Sequence, residues 1–247
     1  MKVLTLEKKV NISNVHTLTK AKLQGPVYNI TPFTLLDYPD KTACILWFAG
    51  CNMRCLYCYN PDIVLGKGSL SFEDVFRFLE SRKGLLEGVV LSGGECTMHQ
   101  QIIPFVEKIK AMGFMVKIDT NGSRPSIMNQ LIRDNLIDYV ALDFKALPER
   151  FQHITKSDLF SEFEQTLSLL FTSNVSFEVR TTVHSDLITS TDLAKMVYYL
   201  ESKGYNGNYY IQYFVNNVQT LTELGMSRRD LKKELLSTSK INLIFRE

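Results

Sequence analysis

Between residues 42 and 213 the chain alternates short apolar runs with stretches whose apolar residues recur at helical spacing, and this alternation limits the possible folds most. The runs at 42–48, 88–91, 115–119, 138–144, 175–183 and 208–213 have strand length. The helical stretches between them are carried by Phe72, Val75, Phe76 and Leu79, by Ile102, Ile103, Val106 and Ile109, and by Ile127, Leu131 and Ile132. Two more rest on Leu159, Phe163, Leu167 and Leu170, and on Leu193, Met196, Val197 and Leu200. Ser71 with Asp74 predicts a cap at the start of the first. Near-continuous apolar strands suit a parallel sheet covered on both faces. Strand-helix alternation joins parallel strands through right-handed crossovers, which a barrel or a doubly wound sheet would satisfy. A closed eight-stranded barrel would need two more units than the six strands supply. A further helix is expected at 229–236 and a last strand at 241–245. Residues 1–31, polar and broken by Gly25-Pro26, are expected to form an arm or short strands ahead of one domain over 32–247.

With 247 residues and 45% hydrophobic content, the chain can build a full core. A net charge of +2 offers no case for nucleic-acid or membrane binding, and Arg228, Arg229, Lys232 and Lys233 are read as a solvated helix face. No apolar run approaches the roughly 18 residues of a membrane span, and residues 1–10 carry no signal-peptide core. An odd number of cysteines, clustered rather than dispersed, argues for a reducing compartment, so a cytoplasmic location is expected.

Three of the five cysteines, Cys51, Cys55 and Cys58, fall within eight residues. Thiolates at such spacing can converge on one soft metal centre, and three of them would leave one iron of a [4Fe-4S] cluster free to bind a small molecule. A zinc site and a redox Cys-x-x-Cys pair of Cys55 and Cys58 are the other readings. Zinc lacks a second ligand pair in this chain, and the redox pair leaves Cys51 unexplained. Cys44 and Cys96 are read as small buried residues.

The other candidates fall where strands end, the edge on which parallel β/α folds build their sites. Ser92-Gly93-Gly94-Glu95 follows the strand at 88–91, and its paired glycines allow the backbone to approach a ligand, or simply to turn. Asp119-Thr120-Asn121-Gly122 and Asp143-Phe144-Lys145 end the next two strands. Their carboxylates and ammonium could position a zwitterionic, cationic ligand or hold a small cation, or could be structural ion pairs. Arg180 lies inside a strand, where a charge is costly to bury without a partner. His184, at that strand's end, is read as a surface residue.

Cys-x3-Cys-x2-Cys with Tyr57 just before the last cysteine resembles the signature of the radical S-adenosylmethionine (SAM) enzymes. The resemblance implies an incomplete, six-unit (β/α) barrel, a [4Fe-4S] cluster on Cys51, Cys55 and Cys58, and SAM among Tyr57, Gly93, Gly94, Glu95, Asp119, Thr120, Asp143, Lys145 and Arg180. The segment Gly93-Gly94-Glu95 would take SAM's amino group, although Cys96 stands where relatives commonly have proline. Asp-Thr-Asn-Gly followed by Asp-x-Lys resembles the activating enzymes of glycyl-radical enzymes. In that subgroup Asp119, Thr120 and Asp143 would lie near the sulfonium and Lys145 would meet the SAM carboxylate; the small cation that Asp119 and Asp143 could hold would be monovalent. Ile211-Gln212-Tyr213-Phe214 lacks the histidine of pyruvate formate-lyase activators. Thr34-Leu35-Leu36-Asp37-Tyr38-Pro39-Asp40-Lys41 resembles a region of anaerobic ribonucleotide reductase activating proteins, with Asp40 in place of a glycine. The implied function is reductive cleavage of SAM to a 5′-deoxyadenosyl radical that takes a Cα hydrogen from a glycine of a partner. That partner would be anaerobic ribonucleoside-triphosphate reductase, and the electron donor would be of the flavodoxin or ferredoxin type. The alternatives are a radical SAM enzyme acting on a small molecule or peptide, and a non-catalytic iron-sulfur electron-transfer module.

Overall fold

A computed structural model describes residues 25–236 and 240–246. Strands β1 (Val27–Thr34), β2 (Ala43–Phe48), β3 (Gly88–Gly93), β4 (Met115–Thr120), β5 (Tyr139–Asp143), β6 (Ser176–Val183), β7 (Asn208–Tyr213) and β8 (Asn242–Arg246) pair in chain order in one sheet. β1 runs antiparallel to β2, and every later pair is parallel. β2 to β7 are the six strands expected from the apolar runs. β1 and β8 extend the two edges without pairing to each other, so the barrel stays open. Trp47 on β2 and Gln212 on β7 nevertheless line one cavity, which requires the sheet to curl around it. The expected boundary at residue 31 falls inside β1, and residues 1–24 of the expected arm lie outside the described residues.

The helices are α1 (Pro61–Leu65), α2 (Phe72–Glu80), α3 (Ile102–Ala111), α4 (Pro125–Arg133), α5 (Pro148–Thr155), α6 (Phe160–Thr172) and α7 (Ser190–Ser202). α2 starts at the predicted capping box: Asp74 N–H donates to Ser71 Oγ at 3.1 Å, and Ser71 N–H donates to the Asp74 carboxylate at 2.8 Å. Successive strand residues point to opposite faces, and the core divides accordingly. Leu46, Phe48, Leu91, Ile118, Leu142 and Ile211 pack with the apolar stripes of the helices. Ala43, Ile45 and Val90 form a second, smaller cluster with Tyr38, against which Trp47, Met115 and Tyr139 pack. Tyr38 thus fills the inner face from below, its ring 6.1 Å from that of Tyr139 and close enough to Gly88 that a Cβ there would lie 2.7 Å away.

The turn that delivers Tyr38 explains the departure at Asp40. Asp40 has φ +59°, a left-handed conformation that glycine adopts freely and aspartate tolerates better than most residues. Asp40→Gly is expected to change stability by less than about 1 kcal/mol, whereas Asp40→Val should lower it by about 1–2 kcal/mol, both measured by thermal unfolding.

Three expectations are corrected. The helix expected at 229–236 is reduced to a 3-10 turn at Lys233–Leu235. Backbone donors in this region are spent on tertiary partners instead: Ser227 N–H on Asn216 Oδ1, Arg228 N–H on Ser185 Oγ and Lys232 N–H on Ser190 Oγ. Arg228, Arg229 and Lys232 are exposed as expected, the Arg229 guanidinium lying 5.5 Å over the Tyr213 ring, but they belong to no helix face. His184 is fully buried rather than on the surface, because the chain after β7 folds back over it. Its Nε2 is 3.0 Å from the Gly225 carbonyl oxygen, its Nδ1 accepts from Asp186 N–H, and its ring packs on Phe214.

Candidate active site

The loop of three cysteines leaves the C-terminal end of β2 and is clamped by its neighbours. Arg54 and Leu56 N–H donate to the carbonyls of Thr155 and Ile154 at the end of α5, and Leu221 N–H donates to the Cys58 carbonyl. The Arg54 guanidinium closes the loop on itself through the carbonyls of Cys51 and Met53. All five cysteines are free thiols. Cys51, Cys55 and Cys58 line one cavity of about 250 Å³, while Cys44 and Cys96 are buried in the core. Burial pushes the Cys51 thiol up to about 11 and the Cys55 thiol up to about 12, with Lys145 pulling both the other way. Without a metal both are therefore protonated near neutral pH, and metal binding must release those protons.

Gly93 and Gly94 form the next part of the wall. Gly93 has φ +108°, and a Cβ on Gly94 would lie 1.8 Å from the Gly50 carbonyl oxygen. The pair therefore brings the end of β3 directly against the chain entering the cysteine loop, bonded through Gly94 N–H to Phe48 and Glu95 N–H to Gly50. Glu95 turns away from the cavity and is completely buried. Its carboxylate accepts from Thr97 N–H and Oγ1, from Thr120 Oγ1 and from Asn121 N–H. Burial raises its pKa against the pull of these bonds. Thr120, also buried, is absent from the cavity lining.

The remaining predicted residues meet in a chain of charges across β4, β5 and β6. Arg180 bridges the carboxylates of Asp119 and Asp143, with its Nη1 3.3 Å from Asp119 and its Nε bonded to Asp143. Lys145 Nζ takes the other Asp143 oxygen at 3.0 Å. Lys117 Nζ and Ser92 Oγ complete the set around Asp119. Burial acts to raise both carboxyls, but Arg180 with Lys117 outweighs it at Asp119, and Arg180 with Lys145 holds Asp143 at about 2. Burial likewise acts to lower Lys145 and Arg180, and the neighbouring carboxylates reverse it, so both remain cationic. The chain presents three cations and two anions on the inner face. Tyr57 lines the cavity with its ring 5.9 Å below Lys145 Nζ, and its buried hydroxyl has no hydrogen-bond partner among the described residues.

The structure thus brings Cys51, Cys55, Cys58, Tyr57, Gly93, Gly94, Asp119, Asp143, Lys145 and Arg180 to one cavity and leaves Glu95 and Thr120 behind its wall. It adds Asp37, Trp47, Ser92, Asn121, Thr182 and Gln212. Lys117 was legible by the argument that singled out Arg180, since it too is a charge inside a strand. Asn121 lies within the Asp119-Thr120-Asn121-Gly122 motif, whose carboxylate alone carries the sequence argument. Among the described residues no group of three or more His, Cys, Asp or Glu side chains is gathered around a single-ion site. Three thiols lining one cavity supply the donor set of a polynuclear iron-sulfur cluster, whose irons take separate cysteines. The cations and backbone edges beside them fit a ligand with a carboxylate and an amino group.

A partial parallel β/α barrel with three loop cysteines at its C-terminal edge defines an iron-sulfur enzyme class, and the match to the Radical SAM superfamily model over residues 45–188 establishes which. The chain belongs to the radical SAM superfamily and is an enzyme of that kind, which implies a [4Fe-4S] cluster and SAM. A Methanocaldococcus jannaschii protein classed as a glycyl-radical enzyme activating enzyme is 32% identical over 178 residues, covering 69% of this chain and 73% of that one. The pyruvate formate-lyase-activating enzyme of Clostridium pasteurianum is 29% identical over 130 residues, covering 50% of this chain and 53% of the relative. The chain thus spans most of the first relative and about half of the second. The crystal structure of QueE from Escherichia coli superposes with a TM-score of 0.57 at 14% identity, covering 91% of this chain and 94% of that one, a likeness of fold alone. No helix among the described residues is long and apolar enough to cross a membrane.

Proposed function

We propose that this enzyme is an activase: it generates a glycyl radical on a partner enzyme, anaerobic ribonucleoside-triphosphate reductase, in the cytoplasm, using electrons from a flavodoxin- or ferredoxin-type donor. The observation that carries the reading is the cavity itself, where three thiols, two glycines and the Asp119–Arg180–Asp143–Lys145 chain face one another. Similarity to the two activating enzymes supports a glycine as the target. Cys51, Cys55 and Cys58 would hold the cluster. Together with SAM the bound cluster supplies a carbon-centred radical able to take a hydrogen atom. The protein's own work is binding and orientation. Lys145 and Arg180 would meet the SAM carboxylate, Asp119 and Asp143 its positive charge, Gly93 and Gly94 its amino group through backbone oxygens, and Tyr57 its adenosine part. Glu95 and Thr120 would act from behind, holding the ends of β3 and β4 together. A glycine suits such a target because its Cα is uncrowded and an exposed loop can carry it into another protein's cavity.

Lys145→Ala is expected to weaken SAM binding about tenfold, the worth of one charge-assisted hydrogen bond, with iron content unchanged; equilibrium dialysis of the reconstituted protein checks it. Asp143 keeps Arg180 as a partner, so the fold should survive. A monovalent cation near Asp119 and Asp143 belongs to the proposal as well. It would share carboxylates already bonded to Lys117, Arg180 and Lys145, and SAM cleavage should then fall when potassium is replaced by choline.

The deciding experiment is anaerobic reconstitution with iron and sulfide, reduction with dithionite, addition of SAM and quantitation of 5′-deoxyadenosine with and without the reductase. A glycyl radical signal on the reductase would establish the activase. Cleavage stimulated by a metabolite or peptide would redirect the proposal to such a substrate, and a cluster that never cleaves SAM would leave electron transfer.

A further inference from the structure

We infer that the side-chain amide of Asn121 is an N–H donor to the Cys51 thiolate and thereby raises the reduction potential of the cluster that the proposed function puts on Cys51, Cys55 and Cys58. The inference rests on that reading.

Asn121 is buried at the end of β4 and lines the cavity. Its orientation is determined by one neighbour whose hydrogen-bonding role is unambiguous. Ser123 backbone N–H, which can only donate, bonds Asn121 Oδ1 at 2.9 Å. The amide nitrogen must therefore face the other way. One of its hydrogens goes to Asn52 Oδ1 at 3.0 Å, which leaves Asn52 Nδ2 to donate to Ser123 Oγ at 2.8 Å. The second faces Cys51 Sγ at 3.9 Å. This is long for a neutral thiol, and a thiolate draws donors closer. The bonds to Ser123 and Asn52 hold the Asn121 side chain, and its backbone N–H is anchored on the buried Glu95 carboxylate at 2.8 Å. The backbone N–H of Met53 approaches the same sulfur at 3.4 Å, so both N–H donors described for the loop's sulfurs converge on Cys51.

Hydrogen bonds to cluster sulfurs are among the determinants of its potential. In the step [4Fe-4S]2+ + e− → [4Fe-4S]+, with dithionite supplying the electron in vitro, the added negative charge is shared with the thiolates. A donor at Cys51 stabilises the reduced form more than the oxidised one. Removing it makes reduction harder.

The test uses full-length protein reconstituted with iron and sulfide and titrated with dithionite through redox mediators, without SAM or partner, the reduced cluster being followed by electron paramagnetic resonance. Asn121→Ala should lower the equilibrium constant for reduction about tenfold, a shift of 59 mV to more negative potential for one electron. Asn121→Asp keeps the acceptor for Ser123 N–H but puts an acceptor where the donor stood, and should shift the potential further in the same direction. Iron per chain, measured alongside, separates tuning from assembly. A loaded variant whose potential equals that of the wild type overturns the inference. So does failure of both variants to load while their circular dichroism is native, since Asn121 would then serve assembly. If the variants show the expected shifts while the wild-type cluster cleaves no SAM, the activase reading is overturned and this one stands, whereas a wild type that takes up no cluster removes both.

Discussion

Cys55→Ala should leave a folded protein that no longer retains iron after anaerobic reconstitution and cleaves SAM more than about 100-fold more slowly, beyond the 10–100-fold that partners outside the ligand set carry. Cys55 is the most buried of the three loop cysteines, and burial pushes its thiol up to about 12. A neutral thiol in that place acts as a small apolar group, and alanine nearly fills its volume. The cost to the apo protein should be about 1 kcal/mol, as for an ordinary core truncation. Loss of iron would then reflect loss of a ligand. Cys96→Ala is the matched control, because Cys96 is also completely buried, sits next to the same wall and does not line the cavity. It should lose a similar amount of stability and keep its iron. Iron and turnover retained by Cys55→Ala, or lost by Cys96→Ala, would move the cluster off the three cysteines.

The chain's readable parts are those where one local pattern decides the outcome. β2 to β7 are buried strands between amphipathic helices, and near-continuous apolar runs such as those at 42–48 and 138–144 can hardly be anything else. β1 was opaque because Val27–Thr34 is an antiparallel edge with Asn29, Pro32 and Phe33 exposed and no clean alternation. His184 and the segment around Arg229 depart from their local sequence pattern for a shared reason. Contacts between residues some 40 apart bury the histidine and tie the backbone N–H groups of Arg228 and Lys232 to other segments. In the site, position along the chain indicated which strand ends converge, but not which way a side chain turns. Glu95 and Gly94 are adjacent, yet one lines the cavity and the other is buried behind it. Four donors for one carboxylate, from Thr97, Thr120 and Asn121, come from two strand ends, and only their pairing in space reveals the arrangement.

Gly94→Ala should be the most damaging single-methyl substitution at the site, lowering stability by about 3 kcal/mol or more, the upper range for overpacking. The new Cβ would lie 1.8 Å from the Gly50 carbonyl oxygen and 2.6 Å from its carbon, both backbone atoms that no rotamer change can move. Relief requires the end of β3 to withdraw from the loop, breaking the 2.8 Å bond from Gly94 N–H to Phe48 and the 2.9 Å bond from Glu95 N–H to Gly50. Since Cys51 follows Gly50 directly, cluster loading should fall with stability. Gly50→Ala is the informative comparison. Gly50 has φ +85° but nothing within 4 Å of a built Cβ. Its replacement should cost only the left-handed backbone penalty of about 1–2 kcal/mol. Denaturant unfolding of both apo variants separates two purposes for the glycine pair. If Gly94→Ala is the less stable, the missing Cβ serves contact between two backbone segments, and ligand approach is a consequence of that packing. If Gly94→Ala is as stable as the wild type and loses only SAM affinity, the glycine is kept for the ligand, and the contact with Gly50 must yield more easily than its geometry implies.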